Sequence, residues 1–277
     1  MNIPFSLIVE NIKASFNEDI GPGDITASLI SEDAILNVSL ICREAAVLCG
    51  SQWFSQAFLQ LDPEIEISWL ASDGQLLQAN SIVCQLKGNA RAILSAERTA
   101  LNFLQTLSAT ATATHRYQSH IEGTGCKILD TRKTIPGLRL AQKYAVKCGG
   151  GTNHRIGLFD AYLLKENHLA AAGSIAAAVK HARKLHPDVL LEVEVENLDQ
   201  LEQAMDAKVD RVLLDNFTTD MLKQAVSKAG GKLELEASGN ITLENIREIA
   251  ECGIDFISIG ALTKHVQAID FSLRYDE

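Results

Sequence analysis

The chain has 277 residues, 47% of them hydrophobic, and its 25 Lys and Arg against 35 Asp and Glu give a formal net charge of -10. That length allows one large α/β domain, or one with a smaller companion, each burying a sizeable core. The acidic balance argues against non-specific binding to nucleic acid or anionic membranes, so any basic cluster must be local and serve a specific partner.

The opening stretch MNIPFSLIVENIKASFNEDIGPGD carries acids where a secretory signal would have a basic end and a long apolar run. No apolar run approaches the roughly 20 residues of a membrane span. Six scattered cysteines show no C-x-x-C pair and no histidines at zinc-site spacing, which suits free thiols in a reducing compartment. A soluble, cytoplasmic protein is expected.

The first hundred residues read as a separate α+β unit, in which the alternating runs NVSLICRE and SIVCQLKG flank a helical stretch, GSQWFSQAFLQL, with turn signals at IGPGD and SDGQ. A long helix follows from about Ala90 to His115, where Leu94, Leu101, Leu104 and Leu107 recur at helical spacing. It is expected to link two domains.

From about Cys126 the pattern changes to apolar runs that each stop at polar residues. KILD leads to Thr131-Arg132-Lys133, AYLL to Lys165, RVLL to Asp215, LELEA to Ser238-Gly239-Asn240 and FISI to Gly260, while LLEVEVE carries Glu194. The marks at Glu194, Asp215, Ser238 and Gly260 recur at intervals that suit one strand, one loop and one helix per unit, the rhythm of an α/β barrel or doubly wound sheet. Six strands can be counted, too few for a full eight-stranded barrel. In either architecture functional side chains gather where the strands end.

Between Lys127 and Lys165 cations outnumber acids, with Arg132, Lys133, Arg139, Lys143, Lys147 and Arg155 against Asp130 and Asp160. A multiply charged anionic substrate is the simplest reason, because Arg matches carboxylate and phosphate as a fork and Lys supplies a point charge. Lys143 and Lys147, four apart in RLAQKYAVKCGG, are assigned instead to a solvated helix face. Gly149-Gly150-Gly151 fits neither G-x-G-x-x-G nor a P-loop and is read as a pliable turn that lets backbone approach a ligand. Glu192, Glu194 and Glu196 share one strand parity, so parity does not choose among them.

Taken in order, DTRKTIPGLR, KYAVKCGGGTNHRIGLFDAYLLKENHL, EVEVENL, LLDNF, EASGNI and ISIGALT are similar to the motifs of the quinolinate phosphoribosyltransferase family. The upstream NEDIGPGDIT, REAAVLCG and AERTALNFLQ fit the same family, so the resemblance spans almost the whole chain. It implies an N-terminal α/β sandwich domain over 1–108, onto which the tail at about 268–277 packs back, and an incomplete, about seven-stranded α/β barrel over 109–277. It also implies transfer of phosphoribose from 5-phosphoribosyl 1-diphosphate to the ring nitrogen of quinolinate, with Mg2+ as cofactor, releasing diphosphate and carbon dioxide and leaving nicotinate mononucleotide.

Carried over by motif, the resemblance puts Arg98 of a neighbouring subunit, Thr131, Arg132, Lys133, His154, Arg155 and Lys165 around the substrates. Glu194, chosen from its strand on this ground, and Asp215 meet the ribose and the metal, directly or through water. Ser238, Gly239, Asn240, Ser258, Ile259 and Gly260 meet the 5-phosphate. Lys133, Lys165, Glu194 and Asp215 form the implied catalytic set, in a homodimer or hexamer. Rival readings are a relative of this fold from molybdenum-transport loci, a phosphosugar aldolase using Lys165 as a Schiff-base amine, and a phosphometabolite sensor without turnover.

Overall fold

The computed structural model describes residues 3–275. In chain order the elements are α1 (Phe5–Asp19), β1 (Ile35–Cys42), β2 (Ala46–Val47), α2 (Ser51–Leu59), β3 (Glu66–Trp69), β4 (Leu76–Leu77), β5 (Ser81–Asn89) and α3 (Ala90–His120). They continue with β6 (Lys127–Leu129), α4 (Arg139–Cys148), β7 (Tyr162–Leu164), α5 (Glu166–Ala172), α6 (Ile175–Leu185), β8 (Leu191–Val195) and α7 (Leu198–Asp206). The last are β9 (Arg211–Asp215), α8 (Thr219–Ala229), β10 (Glu234–Ser238), α9 (Ile246–Glu251), β11 (Phe256–Ser258), α10 (Ala261–Lys264) and β12 (Phe271–Tyr275). Two compact units result, one of residues 1–115, 134–150 and 262–277, the other of 116–133 and 151–261.

The first unit is built on a four-stranded antiparallel sheet in the order β12-β1-β5-β3. β12 pairs with β1 from Val38 opposite Tyr275 to Cys42 opposite Phe271, so the end of the chain completes the sheet that its beginning starts. Against this unit's core α2 buries Trp53, Phe54 and Phe58 completely, and α3 presents Ile93, Ala96, Ala100, Leu104 and Leu107 at three- and four-residue intervals. Each large apolar side chain removed from water contributes about 1.5–3 kcal/mol, which sets the helix faces.

Farther along α3 the buried stripe turns to small polar residues. Ser108 Oγ donates to the Cys49 carbonyl at 3.1 Å and accepts from the Cys49 N–H at 3.0 Å, and Thr112 Oγ1 accepts from the Val47 N–H at 2.9 Å. Their short side chains satisfy the backbone around β2 without holding it away from the helix.

The triple glycine behaves differently from the turn expected. A Cβ on Gly149 would lie 2.3 Å from the Ala111 carbonyl oxygen and 2.7 Å from Thr114 Cβ, so Gly149 lets the end of α4 press against α3 rather than against a ligand. Positive φ belongs to Gly150, at 88°. Lys143 is also corrected: it is fully buried, whereas Lys147, one turn nearer the open end of α4, is exposed. The two share a face, but that face runs from packed interior to solvent.

The second unit holds a six-stranded sheet in the order β6-β11-β10-β9-β8-β7. All its pairs are parallel, and β7 to β11 are neighbours in chain order while β6, earliest in sequence, returns to lie against β11. That arrangement is an incomplete barrel. Where a seventh strand was expected, Thr152 makes a single parallel bridge to Leu129 on the free side of β6. Intervening helices are started by side chains: Ser174, Asn197 and Thr218 accept from the backbone N–H of Ala177, Gln200 and Met221. β7, with a partner on one side only, is less enclosed than an interior strand, and of its three residues only Leu164 is buried.

Candidate active site

The strand ends of the second unit carry most of the expected site. After β6, the Lys133 N–H donates to Thr131 Oγ1 at 3.1 Å, which fixes the turn that carries Arg132 and Lys133. Arg132 is half-buried, and its Nε is a buried donor with no hydrogen-bond partner. At the end of β11 a Cβ on Gly260 would stand 3.1 Å from Lys133 Cδ, so the glycine leaves room for the lysine stem. Ser258 and Ile259 are buried, and the Ile259 N–H donates to the Leu129 carbonyl at 3.0 Å, fixing the end of β11 against β6.

The segment after the Thr152 bridge is tied down by Asp130, itself fully buried. Asp130 accepts from Asn153 Nδ2 at 2.6 Å and from the His154 N–H at 2.9 Å. His154 then points its Nε2 at two buried carboxylates, Glu192 at 2.9 Å and Glu236 at 3.4 Å. The Arg155 N–H donates to His154 Nδ1 at 2.7 Å, which that nitrogen accepts only when bare, leaving the ring proton on Nε2.

Burial pulls the imidazole pKa down, but the two carboxylates outweigh it and raise it to about 9, so a second ring proton competes with the Arg155 contact. Burial and then Glu236 push Glu192 up to about 7, while burial of Glu236 is overcome by His154, which holds it below its usual range. Arg155 donates from Nη1 to the Ala161 carbonyl at 3.2 Å. Its pKa is lowered by burial and then by the like charge of Arg132. An anion bound beside both would relieve that repulsion.

One pleat farther along β8, Lys165, the residue before α5, forms an ion pair with Glu194. The three glutamates that parity left alike differ in depth along β8: Glu192 is fully buried, Glu194 half-buried and Glu196 exposed. Asp215, half-buried at the end of β9, accepts from Asn216 Nδ2 at 2.9 Å. The turn after β10 is built around that asparagine. A Cβ on Gly239, whose φ is 98°, would meet Asn216 Oδ1 at 2.2 Å, and Asn240 Nδ2 donates to the same oxygen at 3.2 Å.

Thus Thr131, Arg132, Lys133, His154, Arg155, Lys165, Glu194, Asp215, Ser238, Gly239, Asn240, Ser258, Ile259 and Gly260 all belong to the second unit, and Arg98 lies exposed on α3 in the first. Sequence reasoning missed Asp130, Asn153, Glu192, Glu236 and Asn216, which hold the others in place. A hint existed in the polar NHR and LLDN stretches, whose asparagines have no role in an apolar strand.

Glu194 and Asp215 are hard oxygen donors on adjacent strands, the chemistry Mg2+ prefers. Among the described residues, two sets of three potential metal ligands lie within 4.8 Å of one another: His154 with Glu192 and Glu236, and Cys49 with Asp73 and Cys148. In the second set Asp73 is already occupied, accepting from the N–H of Gly50 and Ser51 and from Tyr144 Oη.

The family model described as quinolinate phosphoribosyl transferase, C-terminal domain, matches residues 110–274, and the N-terminal domain model matches residues 24–108. The chain belongs to the quinolinate phosphoribosyltransferase family. The boundary between the two family domains falls inside α3. A solved structure of the nicotinate-nucleotide pyrophosphorylase from Francisella tularensis is 53% identical and superposes with a TM-score of 0.97, over 99% of this chain and 98% of that one. Among curated relatives, the probable nicotinate-nucleotide pyrophosphorylase [carboxylating] of Bacillus subtilis is 38% identical over 93% of this chain and 90% of its own length. The Mycobacterium leprae nicotinate-nucleotide pyrophosphorylase [carboxylating] is 37% identical over 97% of each chain. A human nicotinic acid phosphoribosyltransferase, 13% identical with a TM-score of 0.60, shares the fold.

Proposed function

We propose that the chain transfers phosphoribose from 5-phosphoribosyl 1-diphosphate to the ring nitrogen of quinolinate, releasing diphosphate and carbon dioxide and leaving nicotinate mononucleotide. The observation that carries this reading is the buried Arg132 Nε left unmatched, in a chain whose two domains both match this family and where Arg132 also lowers the pKa of Arg155. A planar dicarboxylate supplies the missing acceptors, and His154 and Lys165 extend the cationic wall.

In this reading the ribose C1–oxygen bond breaks and its electron pair leaves with diphosphate, beside Lys133 and Lys165. The carboxylates of Glu194 and Asp215 face the positive charge that develops on the ribose, and the quinolinate nitrogen donates its lone pair to C1. Once the nitrogen is quaternary, the bond to the 2-carboxylate breaks, carbon dioxide departs, and the ring carbon retains the pair until it takes a proton. Positioning and electrostatics supply the rate, without a covalent enzyme intermediate. Mg2+, held by Glu194 and Asp215 directly or through water, would neutralise diphosphate charge. The backbone at Ser238 to Asn240 and Ser258 to Gly260 receives the 5-phosphate.

Arg98 is assigned to the site of a partner subunit, in a dimer as the smallest active unit. No helix among the described residues is long and apolar enough to cross a membrane, and the six thiols are free, both in keeping with a cytoplasmic enzyme. The aldolase alternative is disfavoured because Lys165 is ion-paired with Glu194, and the cations gathered nearby in sequence suit an anionic substrate better than a carbonyl awaiting an amine.

The deciding experiment incubates the protein with Mg2+, 5-phosphoribosyl 1-diphosphate and either quinolinate or nicotinate. Mononucleotide and carbon dioxide from quinolinate are expected; product from nicotinate alone overturns the reading.

A further inference from the structure

Glu192 on β8 and Glu236 on β10 are both fully buried, at interior strand positions where an apolar residue would ordinarily pack. Burying two carboxylates side by side is less favourable than burying two aliphatic side chains, so their presence calls for a role beyond stability. What they share is one imidazole, since His154 Nε2 lies 2.9 Å from Glu192 and 3.4 Å from Glu236. Glu236 is itself held from behind. Arg211 Nη1 lies 3.8 Å from it, while the same guanidinium pairs with Glu234 at 2.6 Å and stacks over the Phe256 ring at 4.1 Å.

The imidazole passes this anchoring on, because its Nδ1 accepts the Arg155 N–H at 2.7 Å. A continuous chain of contacts therefore runs from two buried strand positions, through a ring, to the backbone of Arg155.

We propose that Glu192 and Glu236 are positioning residues for quinolinate capture: together they seat the His154 ring, and through it they set where the Arg155 backbone stands. The inference rests on the function proposed above and deepens it. Neither carboxylate touches substrate in this arrangement. Both act on the dicarboxylate side of the site, and the ribose side, with Lys165, Glu194 and Asp215, is outside the chain of contacts. The other charged groups close to the pair are Arg155 and Arg211, both cations. Uncompensated carboxylates at this depth would weaken an anion pocket, and the shared imidazole prevents that.

The test compares Glu192→Ala, Glu192→Gln and Glu236→Gln with the unaltered protein in steady-state assays that vary each substrate in turn. Losing a hydrogen bond of this charged kind corresponds to roughly a tenfold effect. The KM for quinolinate is therefore expected to rise by about that factor in Glu192→Ala, with the KM for 5-phosphoribosyl 1-diphosphate unchanged and partial rescue in Glu192→Gln, which keeps an acceptor. A nitrogen NMR titration of the His154 ring should place its midpoint near 9 in the unaltered protein, with a bare Nδ1 and protonated Nε2 only above that pH, and should show a lower midpoint and changed ring signals in the variants. If Glu192→Ala does not fold, the two near-isosteric Gln variants carry the comparison. Equal rises in both KM values, or no change in the ring signals and in the quinolinate KM, overturn the inference. Failure of the unaltered protein to make product from quinolinate overturns the proposed function instead.

Discussion

Arg132 carries the sharpest expectation at the scale of single residues. Its Nε is buried and without a partner, so binding a carboxylate there satisfies a group that is otherwise costly to bury. Arg132→Ala should raise the dissociation constant for quinolinate by roughly 10- to 100-fold, the worth of a charge-assisted hydrogen bond or two, and leave 5-phosphoribosyl 1-diphosphate binding nearly intact. Calorimetric titration with each substrate checks it, and equal losses would count against the pocket. The cations were readable in the sequence because they stand out from an acidic chain. The buried acids were not: Glu192, Glu194 and Glu196 alternate identically, and only depth along β8 separates a fully buried carboxylate from an exposed one. Lys143 failed for a related reason, since helical spacing tells which face a residue shares but not how far along the axis that face stays covered.

Among the elements, the six parallel strands were legible because each apolar run ends in a polar residue at a near-constant interval, and the helices between them carry their own start signals. The seventh strand that the resemblance implied is reduced to one bridge at Thr152, which leaves no alternation for a sequence to show. The junction of α3 and α4 makes a separate prediction. Gly149→Ala would drive a methyl group into the Ala111 carbonyl, and the two helices must part to admit it. A destabilisation of about 1–3 kcal/mol is expected from such overpacking, measured by denaturant unfolding, with the site residues of the second unit unaltered in sequence. Gly150→Ala, at positive φ, should also destabilise, but through backbone strain.

For the whole molecule, the buried cluster ties stability to pH. Glu192 titrates near 7 in the folded chain instead of 4.5, and His154 near 9 instead of 6.5, so the folded state holds protons that the unfolded chain has released. Their contribution is complete at the acid end of this window and is lost as pH rises through 7 and then 9. Glu236, held low, works oppositely and loses its contribution on acidification. Thermal melts between pH 5 and 9.5 should therefore decline toward the alkaline end, and Glu192→Gln should flatten the lower part of that decline. Assembly has its own test. If Arg98 completes a partner's site, randomly mixed subunits of Arg98→Ala and Arg132→Ala should regain about a quarter of the normal sites, because half of the dimers are mixed and each mixed dimer restores one site of two. Mixtures no more active than either variant would place Arg98 elsewhere.

The interrupted sheet of the second unit has a mechanical corollary. A closed ring of strands resists widening everywhere, but this one is hinged along a seam, with β7 gripped from one side only and the segment from Asn153 to Ala161 spanning the gap. Arg155, proposed above to meet quinolinate, rides on that span. Breathing of the seam would then admit a ligand without disturbing β9 and β10, and the amides of Tyr162 to Leu164 should exchange with solvent deuterium ahead of those of Val212 to Leu214.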